Sequence, residues 1–141
     1  MKYGKLLLEK KEYVMIKQLL NLTKDHKDSF QKESLTKFAK EIESANILDD
    51  DKMPEDVVRI NSEITVATND GWQYTFQVVL PAESNNSEKK ISLLTPMSVA
   101  VLGYSKDDKI SWKFPGGNKD IVILNIRQNN ITKLNIVQWN H

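Results

Sequence analysis

The chain has 141 residues, of which 40% are apolar, so it can bury one modest core in one or two small domains. Lysine and arginine number 20 against 19 acidic residues, and a net charge of +1 provides no field that would hold free DNA. The absence of cysteine excludes disulfides, thiolate metal sites and cysteine nucleophiles. No stretch resembles a signal peptide or reaches the roughly 20 apolar residues that span a bilayer, so we expect a cytoplasmic protein.

The first third of the chain predicts a helical hairpin. After a short strand within residues 3–8, apolar residues at helical spacing mark a first helix of about three turns: Tyr13, Ile16 and Leu20. The same spacing marks a second helix: Leu35, Phe38, Ile42 and Ala45. Asp28 or Ser29 is a suitable cap for the second helix. Because each helix has one apolar stripe and a short polar connection joins them, we expect an antiparallel coiled coil, a short finger within residues 1–52.

A domain boundary is predicted at residue 53. Three consecutive aspartates at 49–51 are followed by Met53 and Pro54, and proline disfavours helix in the residue before it. Together with Glu55 and Asp56, these aspartates are interpreted as a solvated acidic linker rather than a metal cluster, because a metal site needs an enforced geometry.

Beyond the boundary, apolar residues alternate with polar ones, which is typical of strands. The alternating positions are Ile64, Val66, Trp72, Tyr74, Phe76, Val78 and Leu80. Residues 69–71, Asn-Asp-Gly, predict a tight turn between two strands. The aromatic side chains at this spacing, together with Trp112 and Phe114 further on, are interpreted first as core.

Further strands surround one short helix. Residues 91–94 predict a strand, and residues 96–102 predict a helix with a proline at its start and Gly103 after its end. Two more strands, joined by a Pro-Gly-Gly turn, are predicted at residues 110–114 and 121–124. The predicted fold is therefore α+β: the helical hairpin is followed, over 53–127, by an antiparallel sheet with one short helix. A tail, 128–141, adds an edge strand or frays.

Three stretches of this second domain resemble the GreA/GreB family of bacterial transcription factors. Residues 91–103, ISLLTPMSVAVLG, resemble its C-terminal domain, and residues 109–117, KISWKFPGG, look like its next strand and Pro-Gly-Gly turn. Residues 53–62, MPEDVVRINS, look like the opening segment of one subgroup, the Rnk proteins (regulators of nucleoside diphosphate kinase). The resemblance covers residues 53–127, over half of the chain.

The resemblance implies an FKBP-like domain that has no isomerase activity and binds the rim of the secondary channel of bacterial RNA polymerase. The helical finger then points into the channel. In the family's cleavage factors, an acidic pair at the tip of a long coiled coil holds a catalytic magnesium ion of the polymerase. Here helices of about 13–19 residues reach only about 20–28 Å, which favours the short-armed Rnk-like subgroup.

Two residues depart from the family pattern. The family often has an acidic residue two places before the proline, where this chain has Leu94, so that polar contact with the polymerase is not expected here. The family also tends to have Gly-Asp before the following strand, where this chain has Asp107 and Asp108. Asp107 must then adopt the turn conformation that glycine adopts more easily.

Two sets of residues are candidates for function. At the finger tip, Asp25 and Asp28 are paired carboxylates, although helix capping by Asp28 and solvation of Asp25 explain them more simply. By the resemblance, Thr95, Pro96 and Met97 belong to the polymerase-docking surface, and they also begin a helix. No metal or other cofactor is expected.

Three hypotheses on function follow. The first is a non-catalytic regulator that binds RNA polymerase and contacts nucleic acid only within the transcription complex. The second is a genuine transcript-cleavage factor that uses the tip acids Asp25 and Asp28. The third is a peptidyl-prolyl isomerase that uses an open aromatic pocket.

Overall fold

The computed structural model describes residues 1–23, 29–114 and 116–128. Its elements, in chain order, are β1 (Leu7–Glu9), α1 (Lys10–Thr23), α2 (Ser29–Ile42), β2 (Asn46–Leu48), β3 (Glu63–Thr68), β4 (Gln73–Val79), β5 (Lys90–Ser92), α3 (Pro96–Val101), β6 (Lys109–Phe114) and β7 (Gly117–Arg127). The fold is α+β, as the sequence predicts. The predicted tip acids, Asp25 and Asp28, and the predicted tail beyond residue 128 lie outside the described residues.

The two N-terminal helices form a short finger. Glu9 caps the first turn of α1, because its carboxylate accepts hydrogen bonds from the backbone N–H groups of Lys11 and Glu12 at 2.8 and 3.0 Å. Strands β1 and β2 pair in parallel, which holds the start of α1 beside the end of α2, while only residues 24–28 separate the opposite ends. The helices therefore run antiparallel, and 14 residues give each a length of about 21 Å.

The end of α2 differs from the sequence prediction. Ala45 was expected on the apolar face of this helix, but the helix ends at Ile42 and Ala45 precedes β2. Strand β2 itself was not predicted. Its three residues pair with β1, and a strand this short has no periodicity of its own in the sequence.

The second part of the chain forms a five-stranded sheet of order β5-β4-β3-β7-β6. Its pairings β3–β4, β3–β7 and β6–β7 are antiparallel, as predicted. Strand β5 differs from the prediction because it pairs with β4 in parallel. After β4 the chain passes through two short 3₁₀ turns, at Pro81–Glu83 and Asn86–Glu88, and re-enters the sheet in the same direction.

One hydrophobic cluster joins the finger to the sheet. Its fully buried members include Ile16 of α1, Phe38 of α2, Val99 of α3 and Ile123 of β7. Helices α2 and α3 contact each other, and α3 also contacts β6. The finger therefore shares its core with the sheet, and burial of these apolar side chains stabilises both parts together.

An ion-pair network fastens α1 to the chain that enters the sheet. Glu12 accepts hydrogen bonds from the Arg59 guanidinium at 2.6 and 2.8 Å and from the Ile60 backbone N–H at 2.9 Å. Arg59 also pairs with Asp50 at 2.8 Å. Asp50 is 55% exposed, so it is solvent-accessible as the sequence predicts, and in addition it forms an ion pair that the sequence did not indicate.

The described residues contain no group of three or more histidine, cysteine, aspartate or glutamate side chains that could hold a metal ion. In the same part of the chain, no helix is both long and apolar enough to cross a bilayer.

Candidate docking surface

The start of α3 forms a corner that projects from the end of β5. Thr95 is the N-cap of the helix: its hydroxyl donates to the Ser92 carbonyl at 3.0 Å and accepts from the Ser98 backbone N–H at 3.4 Å. Pro96 occupies the first helical position, where a missing N–H costs nothing. The Thr95 side chain thus stabilises the backbone at the start of α3.

Pro96 and Met97 are half-buried, in contrast to the residues that follow them in α3. Ser98, Val99, Ala100 and Val101 are all buried and face the core. Met97 packs against the edge of this core and also lines an open groove. The corner predicted from the sequence is therefore partly accessible.

The open groove, as we name the depression beside Met97, has a volume of about 280 Å³. Its lining residues are Thr68, Asp70, Trp72, Met97, Gly116, Lys119 and Ile121. These residues converge because Thr68 at the end of β3 pairs with Ile121 of β7, which brings the β3–β4 turn beside the start of β7. The groove therefore combines one helix corner with one end of the sheet.

Trp72 is the exposed aromatic residue of the open groove. It is 45% exposed and stacks on Tyr74, whose ring in turn stacks on Phe76, with centroid distances of 5.6 Å in both pairs. Phe76 is only 1% exposed. The interpretation of these aromatics as core is correct for Phe76 and wrong for Trp72, which lies at the uncovered end of the strand.

Asp70 provides a negative charge at the edge of the open groove. Its Oδ1 atom accepts hydrogen bonds from the Thr68 hydroxyl and, at 3.2 Å, from the Trp72 backbone N–H. These two hydrogen bonds, together with the positive charge of Lys119, lower the pKa of Asp70 below its ordinary value. The carboxylate is therefore ionised and held in one orientation at neutral pH.

Trp112 lies elsewhere and has a structural role. It is 2% exposed, its indole N–H donates to the Ser34 hydroxyl of α2 at 3.3 Å, and the Lys37 ammonium lies 4.2 Å from the ring centroid. Trp112 thus fixes α2 on β6. The side chain of Phe114 lies outside the described residues, and Leu94 is half-buried against the core.

Comparison with known proteins identifies the family. Residues 53–128, more than half of the chain, match the sequence model of the family described as "Transcription elongation factor, GreA/GreB, C-term". The chain belongs to the GreA/GreB family. Within that family, a regulator of nucleoside diphosphate kinase from Escherichia coli (strain K12) is 33% identical over 78 residues, which cover 55% of this chain and 57% of that protein. The sequence resemblance to the GreA/GreB family and to its Rnk-like subgroup is confirmed.

Other GreA/GreB proteins match a longer part of the chain. The transcription elongation factor GreA of Syntrophus aciditrophicus is 28% identical over 121 residues, 85% of this chain and 70% of the relative. The solved structure of a prokaryotic transcription elongation factor GreA/GreB from Nitrosomonas europaea covers 87% of this chain and 99% of its own, with a TM-score of 0.70 and 23% identity. That likeness shows that the finger and the sheet together follow the fold of that protein.

Proposed function

We propose that this GreA/GreB-family chain is a transcription regulator that binds bacterial RNA polymerase at the secondary channel. The sheet domain, residues 53–127, docks on the rim of the channel, and the finger, residues 1–52, occupies the channel mouth. Family membership supports the class of partner. The main support for this docking surface is that Met97 lines the open groove together with the exposed Trp72.

The chemistry of this surface suits a protein contact. Aromatic and methionine side chains contribute large apolar area, and such anchors at the centre of an interface dominate binding energy. Pro96 and the capped turn at Thr95 fix the backbone beside them, so little conformational entropy is lost on binding. Docking through this corner therefore needs no rearrangement of the sheet.

We further propose that the chain acts sterically and does not stimulate transcript cleavage. Each helix of the finger is about 21 Å long, shorter than the arms that the resemblance associates with cleavage factors. Occupation of the channel mouth by this finger competes with other factors that enter the same channel. The protein then modulates transcription without a catalytic residue of its own.

The isomerase alternative requires an open aromatic pocket. Phe76 and Trp112, two of the aromatic residues that this alternative would use, are buried, with exposures of 1% and 2%. The open groove has Trp72 at its edge and is not enclosed by aromatic rings in the described part of the chain. The observed arrangement therefore favours docking over isomerase activity.

A variant of the helix corner tests the proposal. Pro96→Asp places a charge in an apolar contact, where an unpaired charge is costly to desolvate, so we expect the affinity for core RNA polymerase to fall at least tenfold. Binding is measured by co-elution and by titration with core polymerase from the organism that encodes the chain. Thermal unfolding of the variant checks that the sheet stays folded.

Asn125→Asp is the matched control for this variant. Asn125 is exposed on β7, away from the lining of the open groove, and the change adds the same charge with almost no change in shape. We expect it to bind like the native protein. Equal affinities of the Pro96 variant and the control would locate the interface elsewhere on the molecule.

A further inference from the structure

Helix α1 has a second apolar face, which is directed to solvent. Val14 and Met15 are 52% and 37% exposed, and Leu22, near the end of the helix, is 81% exposed. Leu22 follows Met15 by seven residues and Val14 by eight, so the three side chains lie on one side of the helix. Two exposed polar residues complete this side, and we name the whole set the outer stripe: Lys11, Val14, Met15, Gln18 and Leu22.

The outward surface of α1 is positively charged. Lys11 precedes Val14 by three residues and Met15 by four, so its ammonium group lies beside both of them. Lys10 and Lys17 are the other neighbours of Val14, four residues before it and three after it. All three lysines are exposed, and none of them forms an ion pair with another described residue.

The carboxylates nearest in sequence are directed inward and already have partners. Glu9 is 6% exposed and caps the first turn of α1. Glu12 is bound to the Arg59 guanidinium and to the Ile60 backbone N–H. The outer stripe therefore combines exposed apolar side chains with positive charges that no carboxylate of α1 balances.

This combination decides which partner fits. A second copy of the chain would bring its own lysines to the contact, so like charges oppose the pairing of two outer stripes. A phosphate backbone would pair with the lysines but would leave the apolar side chains of the stripe in water. A helix that has apolar residues along one face and acidic residues beside them satisfies both requirements, because helices pack through stripes of this spacing.

We propose that the outer stripe is a docking site for an acidic amphipathic helix of another protein, which packs on α1 as a third helix beside the finger. The apolar face of that helix contacts Val14, Met15 and Leu22, and its carboxylates pair with Lys10 and Lys11. The outer stripe lies on the finger, whereas the open groove lies on the sheet. This inference therefore goes beyond the proposed function and does not depend on it.

A designed peptide tests the outer stripe in the absence of polymerase. The probe is a dye-labelled helix of three heptads with leucine at positions a and d and glutamate at positions e and g, whose charges oppose its self-association. The control peptide has lysine in place of glutamate. We expect the fluorescence anisotropy of the acidic peptide to rise with half-saturation at about 100 μM native chain or below, and the basic peptide to bind roughly tenfold more weakly.

Two variants separate the apolar and the charged contributions. Leu22→Ser removes the most exposed apolar side chain of the outer stripe, and we expect it to weaken binding of the acidic peptide roughly fivefold. Lys11→Gln should weaken binding roughly threefold at low salt and much less at high salt, because salt screens the lost charge pair. The matched controls are Ile47→Ser on β2 and Lys109→Gln on β6, which change exposed residues outside α1 and should bind like the native chain. Thermal unfolding checks that each variant is folded.

The proposal is wrong if the acidic peptide does not bind the native chain, or if both outer-stripe variants bind it as the controls do. Anionic vesicles of phosphatidylglycerol test the rival surface, since apolar residues beside lysines also suit a membrane interface. Co-sedimentation of the native chain with these vesicles that is lost in Leu22→Ser would assign the outer stripe to a lipid surface and would also overturn the proposal. Neither result bears on polymerase binding, which Pro96→Asp tests separately.

Discussion

Glu12 is the residue through which the first helix is fastened to the sheet. Its carboxylate accepts three hydrogen bonds, two from Arg59 and one from the Ile60 backbone, and the two side chains are only 16% and 19% exposed. Burial raises the pKa of Glu12 above its ordinary value, and the attraction of Arg59 offsets this only in part. Arg59 therefore reduces the cost of burying the ionised carboxylate.

Removal of the Arg59 side chain should destabilise the protein in a pH-dependent way. At pH ~7, we expect Arg59→Ala to lower the free energy of unfolding by about 2 kcal/mol, because a largely buried carboxylate loses its partner. A carboxyl group with a raised folded-state pKa favours folding most below its unfolded-state value of 4.5, and this contribution is lost as the pH rises through the folded-state pKa. The Arg59 variant lacks the cation that stabilises the ionised carboxylate, so the loss in its free energy of unfolding should be smaller at pH ~4, where more of Glu12 is protonated. Urea unfolding of the native protein and the variant at both pH values measures this difference in free energy.

Arg127→Ala is the control for the Arg59 variant. Arg127 also pairs with a glutamate, Glu63, at 2.9 Å, but it is 73% exposed. We expect the free energy of unfolding to fall by less than about 0.5 kcal/mol. If the Arg59 variant loses the same free energy of unfolding at both pH values, protonation of Glu12 does not compensate for the loss of Arg59, and the account of this pair is wrong.

Single residues were predictable where local backbone chemistry decides their position. Helix α3 begins at Pro96, as the proline indicates, and Asp107 has a φ of 72°, the left-handed conformation that was expected for it. Trp72 and Asp70 were not recognised as site residues. Their exposure depends on how far α3 extends over the end of the strands, which is a tertiary property that strand periodicity does not contain.

At the scale of elements, hydrophobic periodicity predicted both finger helices and the strands of the β3–β4 hairpin, and Pro96 and Gly103 predicted α3. These elements are long enough, or have strong enough caps and turns, to leave a local pattern. Strand β2 was missed because its existence depends on pairing with Leu7 and its neighbours, nearly forty residues earlier in the chain. The parallel direction of β5 was missed for a related reason, since two 3₁₀ turns rather than a tight turn precede it.

The finger is the element on which the two polymerase-binding hypotheses differ. If it is too short to bring Asp25 and Asp28 to the metal centre of the polymerase, the native protein should not accelerate RNA cleavage in backtracked complexes above the rate of the polymerase alone. The double variant Asp25→Asn with Asp28→Asn should then retain nearly all competition for the channel. If Asp28 caps α2 as the sequence predicts, the double variant should also cost about 1 kcal/mol of stability.

Measurement of cleavage products on stalled complexes distinguishes these hypotheses. A severalfold acceleration by the native protein that disappears in the double variant would show that the finger acts through its tip acids. Asp120→Asn, which removes an exposed carboxylate from β7 far along the sequence from the finger, is a suitable control for the loss of negative charge.

At the scale of the whole molecule, the finger and the docking surface are parts of one packed body. The Ser34 hydroxyl and the Lys37 ammonium both contact Trp112, and Lys113 pairs with Glu33 of the same helix at 3.4 Å. On the other side of the finger, Glu12 holds α1 to the start of the sheet domain. In the proposed complex, the way in which the sheet docks therefore sets the direction of the finger.

The central claim is that this packed body binds RNA polymerase, and a direct titration tests it. The chain has no cysteine, so Asn125→Cys provides a unique position for a fluorescent dye away from the open groove. We predict that the fluorescence anisotropy rises on addition of core polymerase at low salt, with half-saturation at micromolar concentration or below, and that an excess of unlabelled native chain reverses the rise. An anisotropy that stays constant up to saturating polymerase would contradict the account.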